Sequence, residues 1–131
     1  MGSGTAVLAI MACMRGAKKA MAIDIDPWCG ENGLENAHRN GMDNIEVVVG
    51  TSQQLPREPS FDLILANINR NVLLKDLPAY VACLRSGGTV LLSGFYTEDL
   101  TPIKEVSESC GLTYVTHSTR DSWVAVKFIF L

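Results

Sequence analysis

Apolar and amphipathic segments alternate along the chain, and glycine, proline or short polar runs separate them. Apolar positions with helical spacing, bounded by capping residues and glycines, predict helices. The predicted helices cover residues 5–14, 27–40, 72–84 and 100–110. Short runs rich in β-branched residues predict strands. The predicted strands cover residues 20–25, 45–49, 61–66, 89–93, 112–117 and 123–130.

The order of these elements indicates an α/β fold. Strands that alternate with helices and are apolar on both faces are typical of a parallel sheet covered on both sides. A short polar turn separates the last two strands, and a parallel return would need a longer crossover. We therefore expect a mostly parallel sheet that ends in a C-terminal antiparallel hairpin, within a single domain over residues 1–131.

Composition narrows the class of protein. The chain has 131 residues, of which 47% are hydrophobic and 19% charged, as in one globular domain. A net charge of −3 without a basic run argues against direct nucleic-acid binding. No apolar run approaches the roughly 20 residues that span a bilayer, and no signal peptide is evident, so a cytoplasmic protein is expected. The cysteines and histidines are scattered, and no metal site is predicted.

A glycine-containing turn precedes the first predicted helix. Gly2, Ser3 and Gly4 would let the backbone approach a ligand at the N–H groups of the helix N-terminus; a flexible tail is the alternative. Asp24 ends the next strand, 20 positions after Gly4, where doubly wound folds place an acid for ribose hydroxyls. Asp26 is better placed to cap the following helix, which leaves Asp24 free of that function.

The turn departs from the fingerprint of dinucleotide-binding proteins. That fingerprint has a third glycine three positions after the second, where this chain has Val7. The difference argues against a cofactor with a pyrophosphate. A nucleoside cofactor without a phosphate is compatible with this turn, and Ala6 can serve in place of the third glycine.

Five segments occur in a fixed order along nearly the whole chain. They are GSGTAVLAIMACMRGAKKAMAIDIDP, ENAHRNG, FDLILANI, GGTVLLSGF and the late Trp123-Val124. Together they resemble the methyltransferases of bacterial ribosomal protein L11. The resemblance implies a Rossmann-like methyltransferase fold, S-adenosylmethionine as cofactor, and amino groups of ribosomal protein L11 as substrate.

The resemblance also implies roles for individual residues. Gly2 matches the loop that meets the cofactor, Asp24 the ribose-binding acid, and Asn67 an asparagine near the transferred methyl group. Thr51 and Ser52 follow the strand close to which adenine usually lies. The cofactor-binding set implied in this way is Gly2, Ser3, Gly4, Asp24, Ile25, Thr51, Ser52 and Asn67.

Asn67 is also a candidate catalytic residue on physical grounds. It follows a buried strand at the carboxyl edge of the predicted sheet, where open α/β sheets bind ligands. Its amide oxygen could accept a hydrogen bond from a substrate amine and orient the amine lone pair. The alternative is that Asn67 caps the following helix. Asn69 and Arg70 are expected to be loop residues, and Ser93 and Gly94 could line the pocket.

Family members have a strand before Gly2 and a separate N-terminal recognition domain, so the resemblance implies an N-terminally truncated core that lacks its first strand. We expect a gap between the strands at Ala20 and Phe61, possible self-association through exposed sheet edges, and weak cofactor binding by the isolated chain. Two alternatives remain: a methyltransferase for a small molecule or nucleic acid, and a degenerate non-catalytic module. Gly30 and Gly33, inside the second predicted helix, favour the module.

Overall fold

A computed structural model describes all 131 residues. The helices are α1 (Val7–Met14), α2 (Pro27–Arg39), α3 (Arg70–Ala82) and α4 (Leu100–Ser109). The strands are β1 (Ala20–Asp24), β2 (Ile45–Val49), β3 (Phe61–Asn67), β4 (Leu84–Tyr96), β5 (Leu112–Arg120) and β6 (Trp123–Phe130). Short 3-10 turns cover Ser52–Gln54 and Thr97–Asp99. No helix combines the length and apolar character needed to cross a membrane.

The chain forms two compact units, Met1–Gln54 and Leu55–Leu131. The first unit contains the parallel pair β1–β2, and the second contains a four-stranded sheet in the order β3-β4-β6-β5. The two sheets share no ladder, and the gap expected between the strands at Ala20 and Phe61 stays a prediction. The single domain over residues 1–131 stays a prediction.

The first unit packs through small residues. Its buried cluster consists of Ala6, Ile10, Ala22, Ala37 and Ile45. Gly30 and Gly33 are buried on α2, and a Cβ atom added to Gly30 would lie 2.6 Å from a Val49 methyl group. The glycines therefore bring α2 close to β2, so they have a packing role and do not indicate a degenerate module.

The second unit confirms the predicted hairpin. β3 and β4 are parallel, whereas β6 is antiparallel to both β4 and β5. Asp121 and Ser122 connect β5 to β6 with φ values of 50° and 68°. Positive φ at both central residues is the geometry of a type I′ turn, whose twist suits a two-residue hairpin. The last two strands of the mixed sheet are therefore joined as a tight antiparallel hairpin.

The boundary between α3 and β4 differs from the prediction. The helix expected over 72–84 covers Arg70–Ala82, and the strand expected over 89–93 extends over Leu84–Tyr96. Leu84 is buried and pairs with Phe61, and the register then jumps to Leu63 opposite Thr89. Burial of Leu84 against the sheet outweighs the local helical pattern, and residues 85–88 form an irregularity within the strand.

Candidate functional site

The loop before α1 is fixed on the end of β1. Gly2 and Gly4 have φ values of 62° and 53°. The backbone N–H of Ser3 donates to the Ile23 carbonyl at 3.0 Å, and that of Gly4 donates to Asp24 Oδ2 at 2.9 Å. The predicted pair of glycine turn and acidic residue thus forms one structure. The loop is held by hydrogen bonds and is not a free tail.

Asp24 holds this loop and retains acceptor capacity. Its Oδ1 accepts a hydrogen bond from the Asp26 N–H at 3.0 Å, and Asp26 caps α2 through the Trp28 N–H at 3.0 Å, as predicted. Desolvation and the charges of Asp24 and Asp26 raise the pKa of the Cys29 thiol, and its hydrogen bond to Asp24 acts in the same direction. A carboxylate offers about four acceptor positions. Two backbone bonds and a weak thiol bond occupy three of these positions.

The surroundings of Asp24 fit a cofactor that carries hydroxyl groups. The Ser3 hydroxyl is buried and has no hydrogen-bond partner in the chain. Such an unsatisfied group gains free energy when a ligand supplies the missing bond. A ribose hydroxyl can displace the thiol, which is a weak donor, as a hydrogen-bond partner of Asp24. Ile25 is 72% exposed and presents apolar surface next to the carboxylate.

Thr51 and Ser52 follow β2 in the same unit. The Gly50 N–H donates to the Asp24 backbone carbonyl at 2.8 Å, which holds the ends of β1 and β2 together. Thr51 Oγ1 accepts from the Gln53 N–H at 3.2 Å, so its hydroxyl has a local function in the 3-10 turn. Ser52 is half-buried. Both residues follow the strand that Gly50 joins to Asp24, and their contacts with a cofactor stay a prediction.

Asn67 lies in the second unit, at the last position of β3, opposite Ser93 of β4. It lines a cavity of about 470 Å³ together with Ser93 and Gly94, the two residues expected there. The helix that follows is capped by Asn69, whose side chain accepts from the Val72 N–H at 3.1 Å. Asn67 is therefore not the helix cap, and its carboxamide is available at the cavity.

The β5–β6 hairpin supplies the other wall of this cavity. Residues from Ser118 to Arg120 and from Trp123 to Ala125 line it. Trp123 is 48% exposed and stacks against Tyr96 with ring centroids 4.2 Å apart. The sequence alone did not identify Tyr96 or Arg120, because only the pairing of β6 with β4 and β5 brings Arg120 to this cavity and Tyr96 against Trp123. The sequence signal that pointed to these residues was the predicted C-terminal hairpin.

An ion pair joins the start of α3 to the turn after β4. Arg70 Nη1 lies 3.0 Å from Asp99 Oδ1, and Asp99 Oδ2 accepts from the Tyr96 N–H at 3.3 Å. Arg70 is therefore a structural residue in the first turn of α3, and the expectation that Asn69 and Arg70 are loop residues was wrong because Asn69 caps the helix that Arg70 begins. No group of three or more His, Cys, Asp or Glu side chains is arranged to hold a metal ion, and all four cysteines are free.

Comparisons with known proteins converge on one family. Residues 1–129 match the family model described as ribosomal protein L11 methyltransferase. A protein of that name from Bacteroides fragilis is 48% identical over 129 residues, which cover 98% of this chain and 46% of the relative. The chain thus spans about half the length of the curated relatives it matches.

Solved structures give the same result. The crystal structure of a ribosomal protein L11 methylase from Lactobacillus delbrueckii matches with a TM-score of 0.91 at 28% identity, over 97% of this chain and 66% of that one. A methyltransferase from Pyrococcus furiosus matches with a TM-score of 0.82 at 25% identity, over 98% of this chain and 71% of that one. The predicted Rossmann-like methyltransferase fold is confirmed.

Proposed function

Since the chain belongs to the ribosomal protein L11 methyltransferase family, we propose that it transfers methyl groups from S-adenosylmethionine to amino groups of ribosomal protein L11. The observation that carries this proposal is the bond from the Gly4 N–H to Asp24, which joins a glycine loop to an acid at a strand end. That arrangement is typical of nucleoside binding in α/β folds. We place the activity in the cytoplasm.

The first unit would hold the cofactor. Asp24 would accept a hydrogen bond from a ribose hydroxyl, and the unpartnered Ser3 hydroxyl would bond to a polar group of the ligand. The backbone at Gly2 and Gly4 would allow close approach, because neither residue carries a Cβ atom. The exposed Ile25 side chain, with Thr51 and Ser52, would contact the base.

The second unit would receive the substrate amine. When bound, S-adenosylmethionine supplies a methyl group on a sulfonium, which a neutral amine attacks in line. Asn67 would accept a hydrogen bond from the amine and so direct its lone pair. The stacked rings of Tyr96 and Trp123 would shield the alkyl chain that carries the amine from water. Placement, rather than acid or base chemistry, is the contribution of these residues.

Calorimetric titration with S-adenosylhomocysteine tests the cofactor site. Asp24→Ala should weaken binding roughly tenfold or more, because a hydrogen bond to a charged group contributes about 1.5–3 kcal/mol. Asp43→Ala is the matched control, since it removes an exposed carboxylate of the same unit away from the loop. Equal affinities for Asp24→Ala and the unchanged chain would reject the proposed site. The mass in solution, measured in parallel, tests the proposed self-association.

A methyl-transfer assay tests the acceptor. With purified ribosomal protein L11 and labelled S-adenosylmethionine, Asn67→Ala should lower kcat, because the variant lacks the acceptor that orients the amine. Asn69→Ala is the control, because it removes the α3 cap and costs about 1 kcal/mol of stability while leaving the cavity intact. Transfer to another acceptor, with none to ribosomal protein L11, would contradict the proposed substrate.

A further inference from the structure

Gly94 is an extra residue in β4. Ser93 pairs with Ala125 and Phe95 pairs with Val124, so Gly94 has no partner of its own on β6. Its φ is +92°, in a region that L side chains rarely adopt. The strand therefore contains a β-bulge at Gly94, and bulges of this kind often redirect neighbouring groups beside active sites.

The bulge brings Gly94 against the end of β3. A Cβ atom at position 94 would lie 2.7 Å from Asn67 Oδ1 and 2.8 Å from both the backbone N and O of Ile68. The Ile68 N–H donates to the Ser93 carbonyl at 3.1 Å, which fixes the peptide after Asn67 on the bulge. The carboxamide of Asn67 thus occupies space that exists because residue 94 has no side chain.

We propose that Gly94 is a positioning residue that sets the orientation of the Asn67 carboxamide at the cavity. It acts through Asn67 and contacts no reacting group, so its effect on transfer rests on the proposed function of Asn67. Both residues line the same cavity. A side chain at position 94 would displace the carboxamide oxygen, the peptide of Ile68, or both.

Two other glycines of the same unit serve as controls that distinguish the effect of this contact from the effect of backbone strain. Gly87 has a φ of +82° and nothing within 4 Å of an added Cβ atom. Gly111 has a φ of +94°, and an added Cβ atom would make an ordinary 3.5 Å contact with Phe130. Alanine at any of the three positions imposes a similar φ penalty. Only alanine at position 94 also collides with Asn67 and Ile68.

Nuclear magnetic resonance of the side-chain amide groups tests the geometry directly. The Asn67 amide signal is assigned by its loss in Asn67→Ala. Gly94→Ala should shift this signal, whereas Gly87→Ala and Gly111→Ala should leave it in place. An unchanged signal in Gly94→Ala, or equal shifts in all three variants, would overturn the proposal.

The unchanged chain provides a measurement that does not depend on the folding of Gly94→Ala. A nuclear Overhauser contact between an α-proton of Gly94 and the backbone amide proton of Ile68 is expected, because an added Cβ atom at Gly94 would lie 2.8 Å from the Ile68 nitrogen, and its absence would also overturn the proposal. Neither measurement requires enzymatic activity. The proposed positioning role of Gly94 and the proposed methyl transfer can therefore be rejected independently of each other.

Kinetics with ribosomal protein L11 then connect the position to transfer. Gly94→Ala should lower kcat roughly 10- to 100-fold, the range expected when a group is misplaced by about 1 Å. In the Asn67→Ala background the same substitution should change kcat less than twofold, because its effect passes through Asn67. Additive losses in the double variant would contradict a role through Asn67.

Discussion

The two units are built from side chains of different size. Of the twelve largest fully buried side chains, eleven lie in the second unit and only Ile23 lies in the first. The first unit, which contains the proposed cofactor residues, instead buries several alanines and two glycines of α2. It also leaves four large apolar residues of α1 exposed, namely Val7, Leu8, Met11 and Met14.

This difference indicates how each unit is stabilised. Burial of apolar surface contributes about 25 cal/mol per Å², so the second unit gains most of its stability from large side chains. The first unit depends on close approach of backbones and on hydrogen bonds at Asp24. We expect the amides of β4 and β6 to exchange with solvent more slowly than those of β1 and β2. Equal exchange rates in the two sheets would contradict the inferred difference in stability between the two units.

The largest expected effect is that of Phe128→Ala in the second unit. Phe128 is fully buried on β6, and removal of such a ring typically costs about 3–5 kcal/mol. Urea unfolding measures the loss. Phe130→Ala is the matched control on the same strand, since Phe130 is only half-buried and should cost less. Losses of equal size would show that burial on β6 does not determine the stability of this unit.

The first unit should instead be destabilised by the addition of a single methyl group where α2 packs against β2. Gly30→Ala places a methyl group 2.6 Å from a methyl group of Val49, whose branched side chain has few alternative rotamers. Overpacking of this kind costs about 1–3 kcal/mol, measured as a lower urea midpoint.

Gly33 provides the control on the same helix. An added Cβ atom there would lie 3.4 Å from Ala6 and Val47. Alanine in a helix interior gains up to about 1 kcal/mol over glycine, so Gly33→Ala should be close to neutral. The double variant Gly30→Ala with Val49→Ala should recover part of the loss. If Gly30→Ala were as well tolerated as Gly33→Ala, close helix–strand approach would not explain these glycines.

The sequence predicted elements well where local pattern and tertiary structure agree. The bounds of β2 and β6 match the prediction because each is a continuous run of strand-forming residues between turn residues. The start of β4 was predicted wrongly, since the burial of Leu84 against Phe61 depends on a partner strand more than 20 positions away. The local pattern of apolar and polar residues does not show which distant strands pair.

The same distinction applies to the candidate site. Asp24 could be predicted because its spacing from Gly4 follows from one strand–helix unit, and the structure shows the bond between them. The close approach of Gly94 to Asn67 could not be predicted, because it arises where β3, β4 and β6 meet. The sequence also could not show which of Asn67 and Asn69 caps α3, since either residue could have done so; the structure shows that it is Asn69.

The smallest expected effect concerns Tyr80, where the second unit contains an unsatisfied group. Its hydroxyl is buried without a hydrogen-bond partner, as is that of Ser107. A buried unsatisfied polar group costs about 1–3 kcal/mol. Tyr80→Phe keeps the ring and removes the hydroxyl, so it should stabilise the chain by roughly 1 kcal/mol and widen the difference between the units. Ser107→Ala should act in the same direction by a similar mechanism.

The pH dependence of stability provides an independent measure of the same hydroxyl. Burial, and then the nearby Asp76 carboxylate, raises the pKa of Tyr80 well above its ordinary value. Above pH 10 the unfolded chain therefore releases this proton while the folded chain retains it, so stability falls as pH rises. Tyr80→Phe should flatten this alkaline decline in urea midpoints, whereas Tyr96→Phe, at an exposed ring, should not. An alkaline slope that is the same in Tyr80→Phe and the unchanged chain would mean that the hydroxyl reaches solvent, and that the second unit does not bear this cost.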